Sequence, residues 1–188
     1  MNAGRDSDGR QRGSMRLSGH DYAEPGSYFV TICTQNRDLV FGDFADGEVR
    51  LSGFGRTANA AWEEIPAHFA GVEVDEYVVM PNHVHGIIVI VLSTPGPTPR
   101  ATRASPLRGA AGPGKGSIGA IVGSYKSAVS RGINQTRGKG GVSVWQRSYY
   151  EHIIRDEADL NRIRQYIWDN PARWDQDPEN PHVAGGTT

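Results

Sequence analysis

The sequence predicts an α+β domain in which helices pack on a mostly antiparallel sheet. Three observations carry this expectation. The segments run in the order β, β-hairpin, α, β, β, α, β, α. The stretch 83–92 is apolar at both alternating sets of positions (Val84, Ile88 and Ile90 against Ile87, Val89 and Val91), as in a central strand covered on both faces. A length of 188 residues suits one domain with a real core and is too short for two ordinary ones. No internal repeat is visible.

Each element has a local cause. Residues 28–34 are rich in β-branched and aromatic side chains and predict a strand. In 39–51, Asp46-Gly47 between two apolar runs predicts a hairpin, because that pair accepts the positive φ angles of a tight turn. Ser52 opens a helix to about residue 69, with Ala58, Ala61, Trp62 and Ile65 on one buried face and Pro66 capping or kinking its last turn. Strands at 72–80 and 83–92 flank the turn-forming pair Pro81-Asn82. Residues 93–116 form a long Pro/Gly/Ala/Arg loop with nothing to pack, of the functional or disordered kind. Ser117 starts a second long helix to about residue 135, with Ile118, Ile121, Val122, Tyr125 and Val129 on one face. After a glycine-rich break comes an extended segment, 144–154, and then a helix, 156–170, stopped by Pro171. The expected organisation is a flexible N-terminal segment 1–24, a single domain 25–181 and a flexible tail 182–188. Trp62 and Trp168 are expected to pack.

Composition narrows the function. The single cysteine, Cys33, lies in the strand-like run Tyr28-Phe-Val-Thr-Ile-Cys, which excludes an intrachain disulfide and a cysteine-rich zinc site. It suits a small core residue in a reducing cytoplasm. No apolar stretch is long enough for a membrane span, and residues 1–19 lack the hydrophobic core of a signal peptide, so a soluble, cytoplasmic protein without a membrane partner is expected.

The net charge of −1 hides a strong asymmetry. Between Arg100 and Arg155 stand ten basic residues, among them Lys126, Arg131 and Arg147, against one acid, Glu151. The compensating acids fall in 38–76 and 156–179. Trp145, Tyr149 and Tyr150 interleave with Arg147 and Arg155, the mixture of rings and cations that holds single-stranded nucleic acid. The alternative is that these aromatics close the core. Gly112-Pro-Gly-Lys-Gly-Ser lacks the spacing of a phosphate-cradling loop.

Two histidines at i and i+2 on a strand project from one face, with Cα atoms about 6.6 Å apart. His83-Val84-His85 therefore offers two convergent imidazoles, either a metal site or a pair of sheet histidines bonded to their neighbours. In the last helix Leu160, Ile163 and Ile167 define the buried stripe. Tyr166 and Asn170, four apart, lie along its border, facing the sheet. An amide oxygen suits Mg²⁺ or Mn²⁺, and a phenol one turn earlier would sit beside the same ion; on spacing alone, however, the first reading of Tyr166 is a tyrosine at the core's edge.

The segments Val78-Val-Met-Pro-Asn-His-Val-His-Gly-Ile-Ile, Trp145-Gln-Arg-Ser-Tyr-Tyr-Glu-His-Ile-Ile-Arg and Arg164-Gln-Tyr-Ile-Trp-Asp-Asn-Pro, in that order, resemble the HUH single-tyrosine transposases, in particular their REP-associated branch. The similarity spans about residues 28–181. The resemblance implies a ferredoxin-like or RRM-like fold with the histidine pair on a central strand. It implies that His83 and His85 bind the catalytic metal, Mg²⁺ or Mn²⁺, that Asn170 completes the site, and that Tyr166 is the nucleophile. The implied activity is cleavage and rejoining of single-stranded, hairpin-forming DNA repeats through a 5′-phosphotyrosine intermediate, by a monomer, with dimers that share active sites as the other arrangement among relatives. The long loop 93–116 and the near-neutral net charge depart from the expected pattern.

Lys126, Arg131, Arg147, Tyr149, Tyr150 and Arg155 are the expected DNA contacts. His152 is expected to make a structural hydrogen bond, and Arg162 to be solvated. Two readings from other classes stand beside the transposase: an RRM-like binding module without catalysis, and a metal-dependent hydrolase that uses water.

Overall fold

The β-branched run that begins at Gly26 forms strand β1 (Gly26–Cys33), and the computed structural model, which describes residues 24–91, 116–138, 140 and 143–183, pairs it on both sides. Its neighbours are β5 (His83–Ile90) and β6 (Tyr150–Ile154), and β4 (Val72–Val79) lies beyond β5. The result is a four-stranded sheet of order β4-β5-β1-β6 with every pairing antiparallel. The α+β expectation holds. Residues 1–23 and 92–115, which include nearly all of the expected flexible segment and long loop, and 184–188 of the expected tail, lie outside the described residues.

Helices cover both faces, for the reason the two apolar sets of β5 suggested. On one face Val84, Ile88 and Ile90 join Tyr28, Val30 and Ile32 under α1 (Gly53–Glu63) and α3 (Ile118–Arg137), which contribute Ala58, Trp62, Ile121, Val122, Tyr125 and Val129. On the other, Phe29, Ile87 and Ile154 receive Ile163 and Ile167 of α4 (Glu157–Asp169). The second cluster is the smaller, so α4 is held to the sheet by few apolar contacts.

Local signals behave as their chemistry requires. In the hairpin of β2 (Gly42–Ala45) and β3 (Glu48–Leu51), Asp46 and Gly47 take φ angles of 54° and 83°. Ser52 caps α1, its side chain accepting from the amides of Phe54 and Gly55. The expected single helix 52–69 is divided at Glu64, where a four-residue helix α2 (Ile65–His68) begins with Pro66 in its first turn. Proline has no N–H to continue the preceding ladder but fits a helix start. The extended segment 144–154 becomes a true strand only from Tyr150; before that, Trp145 makes an isolated bridge to Thr34. Trp168 corrects an expectation. It is 74% exposed, because one residue past the buried Ile167 the helix has turned about 100° toward solvent.

Gly86 lets the sheet accept its largest core side chain. The fully buried indole of Trp62 lies so close to this strand that a Cβ at residue 86 would stand 2.2 Å from its ring. Gly86→Ala is therefore expected to lower stability by about 1–3 kcal/mol through overpacking, measured by thermal or denaturant unfolding. An unchanged midpoint would contradict the close packing. Among the described residues no helix is long and apolar enough to cross a membrane.

Candidate active site

The face of the sheet under α4 carries the polar residues. His83 and His85 lie on the same side of β5 with ring centroids 4.4 Å apart, and both are buried. Their outer nitrogens are anchored. Nδ1 of His83 donates to Oδ1 of Asn82 at 2.8 Å, and Nδ1 of His85 bonds Oγ1 of Thr31 at 2.9 Å, Thr31 being its cross-strand partner on β1. Each ring thus turns Nε2 inward. Asn82 is itself fixed, its amide donating to the carbonyls of Glu179 and Arg37 at 2.7 and 3.2 Å. The pair Pro81-Asn82, which reads in sequence as a turn, also orients a histidine.

Tyr166 comes from α4 to the same point. Its hydroxyl lies 3.2 Å from Nε2 of His85, and its ring stands edge-on to Phe29 with centroids 6.0 Å apart. Phe29 in turn stacks on His85 at 5.4 Å and meets the edge of Tyr150 at 6.2 Å. One buried phenylalanine therefore buttresses both the phenol and the imidazole.

The cluster is closed by a segment in which the sequence suggested no functional residue. After α4 the chain makes a 3-10 turn (Pro171–Gln176) and folds back over the histidines. Trp174 stacks on His83 at 6.2 Å. Asp177 places Oδ2 3.7 Å from Nε2 of His83 and accepts from Nδ2 of Asn170 at 3.0 Å. His83, His85 and Asp177 each present a ligand atom, all within 4.8 Å of one another, and all three residues are buried.

Three facts fit this pocket to a divalent cation. Nε2 of His83 and Oδ1 of Asn170 are buried without a hydrogen-bond partner, although buried polar atoms are nearly always satisfied. The side chain recorded against the buried carboxylate of Asp177 at 3.7 Å is an imidazole, not a lysine or arginine. That imidazole is neutral: burial, and next the Arg37 charge, hold His83 down to about 3, and burial followed by the neighbouring His83 keeps His85 well below the usual histidine range. Neutral imidazoles with a carboxylate and an amide oxygen form a donor set for a divalent metal. Tyr166, by contrast, is pushed up to about 12, first by burial and then by the charges of Asp177 and Glu179, so its phenol keeps its proton at neutral pH.

The expected DNA contacts divide. Tyr150 is exposed beside the cluster, directly across from Thr31, and Arg147 and Arg155 are exposed at the two ends of the segment that carries it. Tyr149 is partly buried against the core with Lys126 over its ring at 5.6 Å. Lys126 spends its ammonium on the carbonyls of Gln146 and Ser148 at 2.9 and 3.1 Å, so it secures this segment. Arg131 is exposed on α3, a helix packed on the opposite face of the sheet from the histidines. Trp145 is buried and closes the core. His152 makes the expected hydrogen bond, to Asp159. Arg162 bonds the same carboxylate.

A central strand bearing two inward histidines, roofed by a helix that presents a tyrosine to them, defines a chain with the HUH transposase fold. The comparisons agree. A solved REP-associated tyrosine transposase bound to a REP hairpin superposes with a TM-score of 0.55 at 18% identity, covering 85% of this chain and 74% of that one. A candidate REP-associated tyrosine transposase of Haemophilus influenzae is 24% identical over 166 residues, 81% of this chain and 74% of its own length. An uncharacterized protein of the same organism is 40% identical over 171 residues, 88% of this chain and 91% of its own length. No family model matches the chain. The chain belongs to one family with that 40%-identical protein; it is similar in sequence to the candidate REP-associated tyrosine transposase and shares the fold of the solved one.

Proposed function

We propose that the chain is a single-stranded DNA transposase that cleaves and rejoins DNA at hairpin-forming repeats. Tyr166 is the nucleophile, and His83, His85 and Asp177, with Asn170 as a further oxygen donor, hold Mg²⁺ or Mn²⁺. The observation that carries this reading is the phenol oxygen 3.2 Å from His85, inside a buried His/His/Asp cluster. The transposase bound to a REP hairpin, which shares the fold, supports the choice of DNA.

A bound divalent ion would supply positive charge to the scissile phosphate and to the charge that develops on it. The rest falls to the chain's own side chains. Tyr166 forms a bond from its oxygen to phosphorus, the bond from phosphorus to the 3′ oxygen breaks, and the phenol's proton is exchanged for one on the released 3′-OH. The phosphotyrosine keeps the energy of the broken ester, so a 3′-OH can reverse the step without ATP. Arg147, Tyr150 and Arg155 receive the strand, Tyr150 as the ring nearest the cluster, while Tyr149 packs on the core behind it. Lys126 holds the backbone that leads into this segment, through the carbonyls of Gln146 and Ser148, and Arg131 adds to the cationic field. Because one chain supplies both the tyrosine and the histidines, a monomer suffices.

The test is incubation with labelled hairpin oligonucleotides bearing single-stranded flanks, followed by denaturing electrophoresis. A shifted, protease-sensitive band that requires Mg²⁺ or Mn²⁺ and disappears with EDTA is expected. Binding indifferent to EDTA without cleavage would favour the non-catalytic module, and metal-dependent cleavage without an adduct would favour a hydrolase that uses water.

A further inference from the structure

The apolar seat of α4 is narrow, yet this helix must place one phenol oxygen over one imidazole. Ile163 and Ile167 are its buried residues, with Leu160 partly buried beside them. Such a stripe resists lifting but leaves the helix free to roll about its own axis. At 100° per residue, Asp159 and Arg164 stand on opposite flanks of it, each roughly 70° from its centre. Each flank is tied to a different edge strand of the sheet.

On one side, Arg164 grips Asp75 of β4 with Nε at 3.1 and 3.2 Å from the two carboxylate oxygens and a terminal nitrogen at 2.5 Å from Oδ2. Asp75 sits where β4 loses register with β5, between Val74 and Tyr77, and its carboxylate also accepts from the amide of Glu76. A bulge re-aims the side chain it carries. On the other side, His152 of β6 puts Nε2 2.8 Å from Oδ2 of Asp159, and Asp159 is fixed further by Arg162 through its carboxylate and by the N-cap Asp156 through its amide. β4 and β6 are the two outermost strands.

We propose that His152 and Arg164 are positioning residues: their tethers to Asp159 and Asp75 fix the roll of α4 and thereby hold the hydroxyl of Tyr166 at His85. All four side chains are partly exposed, between 18% and 40%. Polar contacts of this exposure contribute little to stability, so their effect falls on the angle of the helix. The catalytic part of the inference rests on the transposase reading above; the geometric part does not.

The experiment compares wild type, Arg164→Met, His152→Ala and the double variant. Single-turnover adduct formation is followed at saturating hairpin oligonucleotide with Mg²⁺, beside the oligonucleotide Kd, Tm and aromatic NMR. The Tyr166 ring signals, assigned by difference from Tyr166→Phe, carry ring-current shifts from Phe29 and His85. Each single variant is expected to slow adduct formation about tenfold and the pair roughly 100-fold, the scale of a small misplacement of a reacting group. Kd and Tm stay near wild type, and the Tyr166 shifts move toward those of a free tyrosine. Exchanging the charges, Asp75→Arg with Arg164→Asp, restores both shifts and rate. Wild-type shifts in the double variant would overturn the proposal, as would a rate loss that only follows a fall in Tm. If wild type forms no adduct, the transposase reading fails while the ring shifts still decide the tethers.

Discussion

Tyr166→Phe is expected to abolish the covalent DNA adduct, lowering its rate of formation by about a thousandfold or more, while leaving the fold and oligonucleotide binding in place. The substitution removes one oxygen and keeps the ring that packs against Phe29 and His85. The hydroxyl lost bonds His85 at 3.2 Å on a residue still 39% exposed, so its removal changes stability by only about 1 kcal/mol. Among the described residues Tyr166 is the tyrosine in contact with the histidine pair. Tyr150, the next ring in the aromatic cluster, contacts Phe29 but is not in contact with either histidine. Because burial and the Asp177 and Glu179 carboxylates keep the phenol protonated, the native rate should also depend on an added divalent ion, and EDTA should reproduce the loss caused by the substitution. Denaturing electrophoresis and a filter-binding or anisotropy assay separate the two effects. A Tyr166→Phe protein that still forms an adduct at the wild-type rate would remove the tyrosine from the chemistry.

The fold was legible because its signals are local and periodic. The Asp46-Gly47 turn, the Ser52 cap and the two-sided apolar pattern of β5 each have a near-neighbour cause, and each is found where the pattern put it. The histidine pair and the Tyr166/Asn170 spacing were legible as faces of a strand and a helix, since side-chain direction follows directly from secondary structure. Asp177 was not. It lies on an irregular segment after Pro171, where no periodicity states which way a side chain points, and in composition it merged with the acids that balance the basic region. The signal available was an Asp and an Asn flanking Glu179 just beyond a buried Trp174, in a stretch too apolar at that one position to be mere tail. The role of Asn82 was hidden similarly, since a turn asparagine that bonds a histidine and one that bonds its own backbone have the same sequence. Trp168 failed for the opposite reason: large aromatics are usually buried, and only its helical phase, one step past Ile167, places it outside.

That hidden aspartate yields the second large effect. Asp177→Asn is expected to weaken Mn²⁺ binding by at least the roughly 10- to 100-fold that loss of a ligand's outer partner already costs. The cluster otherwise offers neutral imidazoles and an amide, so Asp177 is the one negative ligand among its buried members. In the metal-free protein two consequences oppose each other. Removing a buried charge that faces a neutral imidazole relieves a desolvation cost, whereas an amide can no longer accept from both Nδ2 of Asn170 and the amide of Glu179, which now bond separate carboxylate oxygens. The metal-free Tm should therefore move little. The metal response separates the proteins: at a Mn²⁺ concentration 100 times the wild-type Kd, linkage stabilises wild type by about 2.7 kcal/mol, and a variant binding 100-fold more weakly by about 0.4 kcal/mol. Thermal unfolding with and without Mn²⁺, alongside calorimetric titration, measures this directly. Equal Tm increases in the two proteins would place the ion away from Asp177 and leave Asn170 as the oxygen donor beside the two imidazoles.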